Sequence, residues 1–292
     1  MPLIEALRPH QWVKNLLVFA PLVFARKLID PAACLHAASA FVAFCAVASG
    51  IYLLNDLSDI DADKLHPEKK LRPLPSGRLS AGTAKVTLVL LWIGGLALAF
   101  LGANWFHWPL GVYLVINIFY SLKLKQVVLL DTMCIALGFL LRIYSGAVAI
   151  GEEASPWLVL CTFFVALLLA FGKRRHELHL LGEGSLEHRK SLAEYSLPYL
   201  DQLIAPLGAL TVMTYAMYTV SERTVTEVTD KLIFTVPFVV YGIFRYLYLV
   251  HMRAEGGNPT RLLLKDPPMF INIVLWLGVS VWAVYTGAAV PQ

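Results

Sequence analysis

The chain reads as an all-α, polytopic membrane bundle of nine transmembrane helices, and three observations predict it. Of its 292 residues 58% are hydrophobic and 15% charged, against about 25% charged in soluble domains. The apolar residues gather in nine runs, and most Lys and Arg fall in alternate connections between them. The runs are apolar all round, whereas barrel strands alternate lipid-facing and lumen-facing residues, so helices are expected.

A hydrocarbon core of roughly 30 Å takes about 20 apolar residues per helix. The runs are Val13–Ala25, Ala33–Leu54, Val86–Ala103, Pro109–Leu122, Val127–Ile150, Pro156–Phe171, Tyr199–Val220, Leu232–Val250 and Pro268–Thr286. The first, fourth and sixth are short for a full crossing. Pro31-Ala32-Ala33-Cys34 superficially resembles a lipoprotein cleavage site. The apolar stretch before it is broken by Pro21 and followed by Arg26 and Lys27, the wrong order for a signal peptide. Cys34, Cys45, Cys134 and Cys161 lie singly in spans, without the spacings of metal or redox motifs, and read as packing residues.

With the N-terminus inside, only Arg26, Lys27, Arg223 and Lys231 fall outside, and Arg142 and Arg245 lie within spans. Every other Lys and Arg is then cytoplasmic, which obeys the positive-inside rule. The expected placement is a bacterial inner membrane, N-terminus in and C-terminus out. The two longest connections, about 55–85 and 172–198, are then cytoplasmic loops that cap an active site on one domain covering residues 1–292. The outer connections, such as 104–108 and 151–155, are short turns. No nucleic-acid partner is expected.

The second span ends in Asn55-Asp56-Leu57-Ser58-Asp59-Ile60-Asp61-Ala62-Asp63. At 100° per residue, Asn55, Asp56, Asp59 and Asp63 fall within roughly a 100° arc, with Asp61 nearly opposite to Asp56. Carboxylates packed on one face repel, so a cation is the natural resident. Mg²⁺ binds through a few carboxylates plus substrate phosphate oxygens, which points to a Mg²⁺–diphosphate site with Asn55, Asp56, Asp59 and Asp63 as ligands. The cations that follow, Lys69 and Arg72 among them, supply donors to phosphate oxygens. A positive-inside loop would also be basic without any such role.

The N-D-x-x-D-x-x-x-D helix resembles the first signature of the UbiA superfamily of intramembrane prenyltransferases, and the likeness covers nearly the whole chain. Four further stretches are similar to its decaprenyl-phosphate phosphoribosyltransferase branch. They are Arg8-Pro9-His10-Gln11-Trp12-Val13-Lys14-Asn15, Arg72-Pro73-Leu74-Pro75-Ser76-Gly77, Tyr120-Ser121-Leu122-Lys123-Leu124-Lys125 with Asp131, and Lys173-Arg174-Arg175-His176-Glu177-Leu178.

The resemblance implies transfer of phosphoribose from phosphoribosyl pyrophosphate (PRPP) to a polyprenyl phosphate, with release of pyrophosphate. That step leads toward the arabinose donor of cell-wall polysaccharide. It also implies Mg²⁺ as cofactor, Asp56, Asp59 and Asp63 as catalytic ligands, and a cavity open to the cytoplasm and to lipid; a homo-oligomer stays compatible with it. Members with aromatic acceptors carry a second aspartate cluster where this chain has Lys123 and Lys125 with only Asp131 downstream. Ammonium groups in place of carboxylates suit substrates with more phosphate.

Lys14, Lys69, Arg72, Lys123, Lys125, Lys173 and Arg174 would divide between the ribose 5-phosphate and the lipid phosphate. Lys173 and Glu177, one turn apart, can pair, and Tyr195 would cover the site. Tyr120 joins the substrate-binding set by resemblance. His176, His179 and His188 read as solvated loop residues. Arg142, deep in the fifth span, is costly there and so is a functional candidate. Two other readings stay open: a prenyl-diphosphate enzyme with an aromatic acceptor, and a membrane transporter.

Overall fold

A computed structural model describes residues 1–65, 69–102, 106–181, 192, 194–253, 255–257, 262, 265 and 266–286. The connection expected at 104–108 is described only from 106. Residues 182–191 and 193 of the expected loop 172–198, with His188, Arg189 and Lys190, and also Arg261, lie outside the described residues. The described residues form helices and turns, and seven helices among them are long and apolar enough to cross a membrane.

In chain order the helices are α1 (Pro2–Leu7), a 3₁₀ segment (Pro9–Phe19), α2 (Ala20–Phe24), α3 (Pro31–Ser58), α4 (Ile60–Leu65), α5 (Ala81–Leu101), α6 (His107–Leu122), α7 (Leu130–Ala149) and α8 (Pro156–Leu181). They continue with α9 (Leu197–Val220), α10 (Val236–Met252, preceded by a 3₁₀ turn, Asp230–Thr235) and α11 (Pro267–Thr286). Local chemistry fixes several starts. Asp30 accepts from the N–H groups of Ala32 (2.9 Å) and Ala33 (3.3 Å) ahead of Pro31, which satisfies two donors that a helix leaves open. Ser80 and Ser196 cap α5 and α9 in the same way, at 3.0 and 3.3 Å.

The chain divides into two compact units. The first holds Met1–Leu22, Lys27–Leu124 and Leu141–Glu153. Its core sets Phe44, Val47 and Ile51 of α3 with Leu110 and Tyr113 of α6. Small residues let α3 and α5 approach: a Cβ on Gly95 would lie 3.1 Å from the Ala43 carbonyl oxygen, the close packing that small residues permit between membrane helices. The second unit holds Val23–Arg26, Lys125–Leu140 and Ala154–Gln292. Its core gathers Leu168 and Phe171 of α8, Leu200 and Ile204 of α9, and Tyr246 and Leu249 of α10.

Two departures from the sequence expectations have physical causes. The first run is not an α-helix but eleven residues of 3₁₀ followed by the five of α2, bounded by Pro9 and interrupted by Pro21. The fourth run, expected to be short, is a helix of 16 residues, about 24 Å long at 1.5 Å per residue and short of a full crossing. The sixth run does not stop at Phe171: α8 runs on to Leu181, because Lys173, Arg174, Arg175, Glu177 and Leu178 are strong helix formers. Residues expected to open a loop therefore extend a helix.

Candidate active site

In the first unit, α3 ends at Ser58, Asp59 adopts φ −107°, ψ 11°, and Ile60 opens α4. The motif expected on one regular helix is therefore bent at Asp59. Backbone bonds from Asp59 N–H to the Asn55 carbonyl (3.0 Å) and from Asp63 N–H to the Asp59 carbonyl (2.8 Å) bridge the bend. The facing survives it: Asp56 and Asp63 are 1% and 3% exposed, and Asn55 and Asp59 are half-buried. The Asp61 side chain is 90% exposed and pairs with Lys64 at 3.0 Å.

Burying two carboxylates together is costly without partners, and arginine supplies them. Arg72 Nη1 donates to Asp63 Oδ2 at 2.7 Å and to Asp56 Oδ1 at 3.2 Å. Arg8 Nη2 donates to the same Asp56 oxygen at 2.5 Å, and Lys69 Nζ lies 3.8 Å from Asp63 Oδ1. A tight turn delivers Arg72: its carbonyl accepts from Ser76 N–H (3.0 Å) and Ser76 Oγ (2.6 Å), and Gly77 at φ 75° takes the left-handed position.

Arg8 sits between α1 and the 3₁₀ segment in the left-handed region at φ 54°, ψ 58°, with its guanidinium 5.1 Å from the Tyr52 ring centroid. The sequence places Arg8 in a matching stretch but gives no direct sign of its ion pair. A pocket of about 300 Å³ opens here, bounded by Glu5, Arg8, His10, Gln11, Asp56 and Arg72 among others. On its rim Arg78 holds Glu5 through two bonds of 2.8 and 2.9 Å, and that pairing keeps the Glu5 carboxyl below its usual range.

The second unit carries another buried cluster. Arg174 Nε donates to Asp131 Oδ2 at 2.6 Å, with the two side chains 1% and 0% exposed, and Arg174 Nη1 reaches Glu177 Oε2 at 2.5 Å. Tyr195 Oη donates to Asp131 Oδ1 at 3.0 Å and accepts from the Leu129 N–H at 2.8 Å. Burial pushes the Tyr195 phenol up to about 12, so it stays protonated and serves as a donor. Lys173 pairs with Glu177 at 3.7 Å, the contact their spacing predicts.

The remaining expected residues are placed as follows. Lys14 lies half-buried in the 3₁₀ segment, Tyr120 in the last turn of α6, Lys123 exposed just past that helix, and Lys125 half-buried in the turn Leu124–Gln126. Arg142 is buried within α7 and binds Asn15 and Tyr113. His176 lies on α8 and accepts from Gly256 N–H at 3.3 Å; His179 is exposed.

Among the described residues no three His, Cys, Asp or Glu side chains form a ready-made metal cage. Asp56 and Asp63 offer hard oxygen donors, so the set fits Mg²⁺ when phosphate oxygens complete the shell, the usual manner of Mg²⁺ binding.

A bent, aspartate-bearing helix within a multi-pass helical membrane protein defines a class, and the chain belongs to it: the UbiA prenyltransferase family, whose model matches residues 16–175. Within the class its likeness is narrower. It is 35% identical to the decaprenyl-phosphate phosphoribosyltransferase of Corynebacterium glutamicum over 97% of this chain and 86% of that protein. It is 33% identical to the protein of the same name from Mycolicibacterium smegmatis, over 97% and 92%. Solved structures share the fold. A UbiA homologue from Archaeoglobus fulgidus bound to GPP and Mg²⁺ matches with a TM-score of 0.76 at 20% identity, covering 98% of this chain and all of that one. The homologue bound to Cd²⁺ matches at 0.72 and 19% identity, with the same two coverages.

Proposed function

We propose that the protein transfers 5-phosphoribose from PRPP to a polyprenyl phosphate of the decaprenyl type, releasing pyrophosphate. One observation carries the reading: near full-length identity of 32–35% to proteins named decaprenyl-phosphate phosphoribosyltransferase. The site would face the cytoplasm of a bacterial inner membrane, with the N-terminus inside and the C-terminus outside.

Asp56 and Asp63, with Asn55 and Asp59, would hold Mg²⁺ against the diphosphate of PRPP. When bound, the ion supplies charge neutralisation for the departing pyrophosphate. A guanidinium has five N–H donors, so Arg8 and Arg72 can keep their carboxylate contacts and still present donors to phosphate. Lys14, Lys69, Lys123, Lys125 and Lys173 would divide between the ribose 5-phosphate and the lipid phosphate, with Tyr120 beside them. Asp131 and Glu177 accept from Arg174 and fix its orientation, and Tyr195 in turn donates to Asp131.

In the transfer the C1–O bond to pyrophosphate breaks with its electron pair leaving on pyrophosphate, and a lipid phosphate oxygen forms the new bond to C1. The attacking oxygen is already anionic, so no residue has to act as general base.

The test is incubation of the purified protein with Mg²⁺, PRPP labelled in the ribose, and decaprenyl phosphate. A labelled lipid formed together with pyrophosphate is expected. Intact PRPP alongside turnover of a prenyl diphosphate with an aromatic acid would move the protein to the aromatic-acceptor reading.

A further inference from the structure

The 3₁₀ segment Pro9–Phe19 is eleven residues long, whereas such helices rarely exceed three or four residues because their hydrogen bonds are poorly aligned. Side chains outside it hold its geometry. Trp12 Nε1 donates to Ser49 Oγ at 3.0 Å, and that hydroxyl donates to the Leu7 carbonyl at 3.0 Å. Further along the segment, Asn15 Nδ2 donates to Cys45 Sγ at 3.3 Å. Arg142 Nε donates to Asn15 Oδ1 at 2.8 Å.

Arg142 is itself fixed. Its Nη2 donates to Tyr113 Oη at 2.9 Å, and its guanidinium lies 4.8 Å from the Tyr113 ring centroid and 5.8 Å from that of Phe44. Four residues on, Gly146 shares that face of α7. A Cβ there would lie 2.9 Å from the Val18 carbonyl carbon and 3.1 Å from its Cα. Arg142 and Gly146 therefore form one seat, the first gripping Asn15 and the second admitting the Val18 backbone.

We propose that Arg142 is a positioning residue: by gripping Asn15 it sets the register of the Pro9–Phe19 segment, and so the reach of Arg8 to Asp56. The inference deepens the proposed phosphoribosyl transfer and rests on it for its kinetic readout. The geometry gives a magnitude. A 3₁₀ helix rises about 2.0 Å per residue and an α-helix about 1.5 Å. Over the seven steps from Asn15 back to Arg8, relaxation to α geometry would withdraw Arg8 by about 3.5 Å. That exceeds the reach of a hydrogen bond, and a misplacement of about 1 Å can already cost 10²-fold in rate.

The experiment is a double-mutant cycle with Arg142→Met and Arg8→Ala, measuring kcat and KM for PRPP, joined to hydrogen exchange of the substrate-free protein. Arg142→Met is expected to lose at least about tenfold in kcat/KM, in the same parameter, kcat or KM, that Arg8→Ala alters. In the Arg8→Ala background it is expected to lose less than about twofold more, since residues acting through one contact are non-additive. Amides of 10–19 should exchange faster in Arg142→Met, while those of 199–215 keep the wild-type rate.

Losses that multiply in the double variant, or unchanged exchange over 10–19, would overturn the proposal. If Arg142→Met does not fold, Gly146→Ala carries the same test: it leaves every charge in place, disturbs Val18 sterically, and is expected to show the same non-additivity and faster exchange. Should the protein not use PRPP at all, the exchange result still decides the positioning role.

Discussion

Arg174 donates to Asp131 across 2.6 Å with both side chains shut away from solvent. A buried ion pair is expensive to break by halves, because the partner left behind keeps its charge without compensation. Asp131→Ala is therefore expected to destabilise the protein by about 3–5 kcal/mol. Tyr195→Phe, which removes the two hydrogen bonds of the phenol to Asp131 and to the Leu129 N–H, should cost about 1–3 kcal/mol. Unfolding followed in detergent measures both. An Asp131→Ala protein of wild-type stability that has lost turnover would instead make Asp131 a substrate ligand.

The acidic cluster separates by burial. Asp56→Ala is expected to lower turnover by at least about 10²-fold, since it removes a carboxylate proposed to hold the Mg²⁺ that neutralises the departing pyrophosphate. Asp61→Ala, at a side chain 90% exposed, should stay within about threefold of wild type. Steady-state assays of both variants at limiting Mg²⁺ check this, and equal losses would dissolve the distinction between the two faces of the motif.

Lys123 and Lys125 belong to the set proposed to divide between the ribose 5-phosphate and the lipid phosphate, and donor choice tests which of the two they serve. A hydrogen bond to a charged group is worth about 1.5–3 kcal/mol, so the alanine variant of whichever lysine makes the contact should lose at least roughly tenfold in kcat/KM with PRPP. With a ribosyl pyrophosphate lacking the 5-phosphate the loss should be small. Equal fractional losses with both donors would reassign the lysines to the pyrophosphate or the lipid phosphate.

Asp266 gives a pH prediction. It accepts two bonds from Arg245, at 3.0 and 2.8 Å, and one from the Met269 N–H at 3.0 Å. Arg245 is the main cause that holds its carboxyl below the ordinary value of 3.8, with burial opposing it. A pKa lower in the folded than in the unfolded state stabilises the fold above the unfolded value, and that stabilisation is lost as pH falls through the folded one. The Tm difference between wild type and Asp266→Asn should be full at pH 7 and shrink below about pH 4. A difference that stays constant down to pH 2 would contradict this.

The membrane-spanning character was legible because nearly every long run is apolar on all sides, and the acidic face because Asn55, Asp56 and Asp63 keep helical phase through the bend at Asp59. The exposure of Asp61 followed from the same spacing. The 3₁₀ form of Pro9–Phe19 was not legible: polar contacts from Ser49 and Arg142, distant in sequence, maintain it, and local propensity carries no trace of them. The extension of α8 was hidden for the opposite reason. Lys173 to Leu178 are good helix formers, but their charge reads as the end of a span. The Arg8–Asp56 contact spans 48 positions and depends on a left-handed residue that sequence spacing does not announce.

The most direct test of the central claim is donor choice in a single vessel. The purified protein is given Mg²⁺, PRPP and geranyl diphosphate at equal concentration, together with decaprenyl phosphate and an aromatic acid, and the lipid products are read by mass spectrometry. The account predicts a decaprenyl phosphate lipid heavier by one phosphoribosyl unit, with geranyl diphosphate unconsumed. A prenylated aromatic acid with PRPP untouched would contradict it.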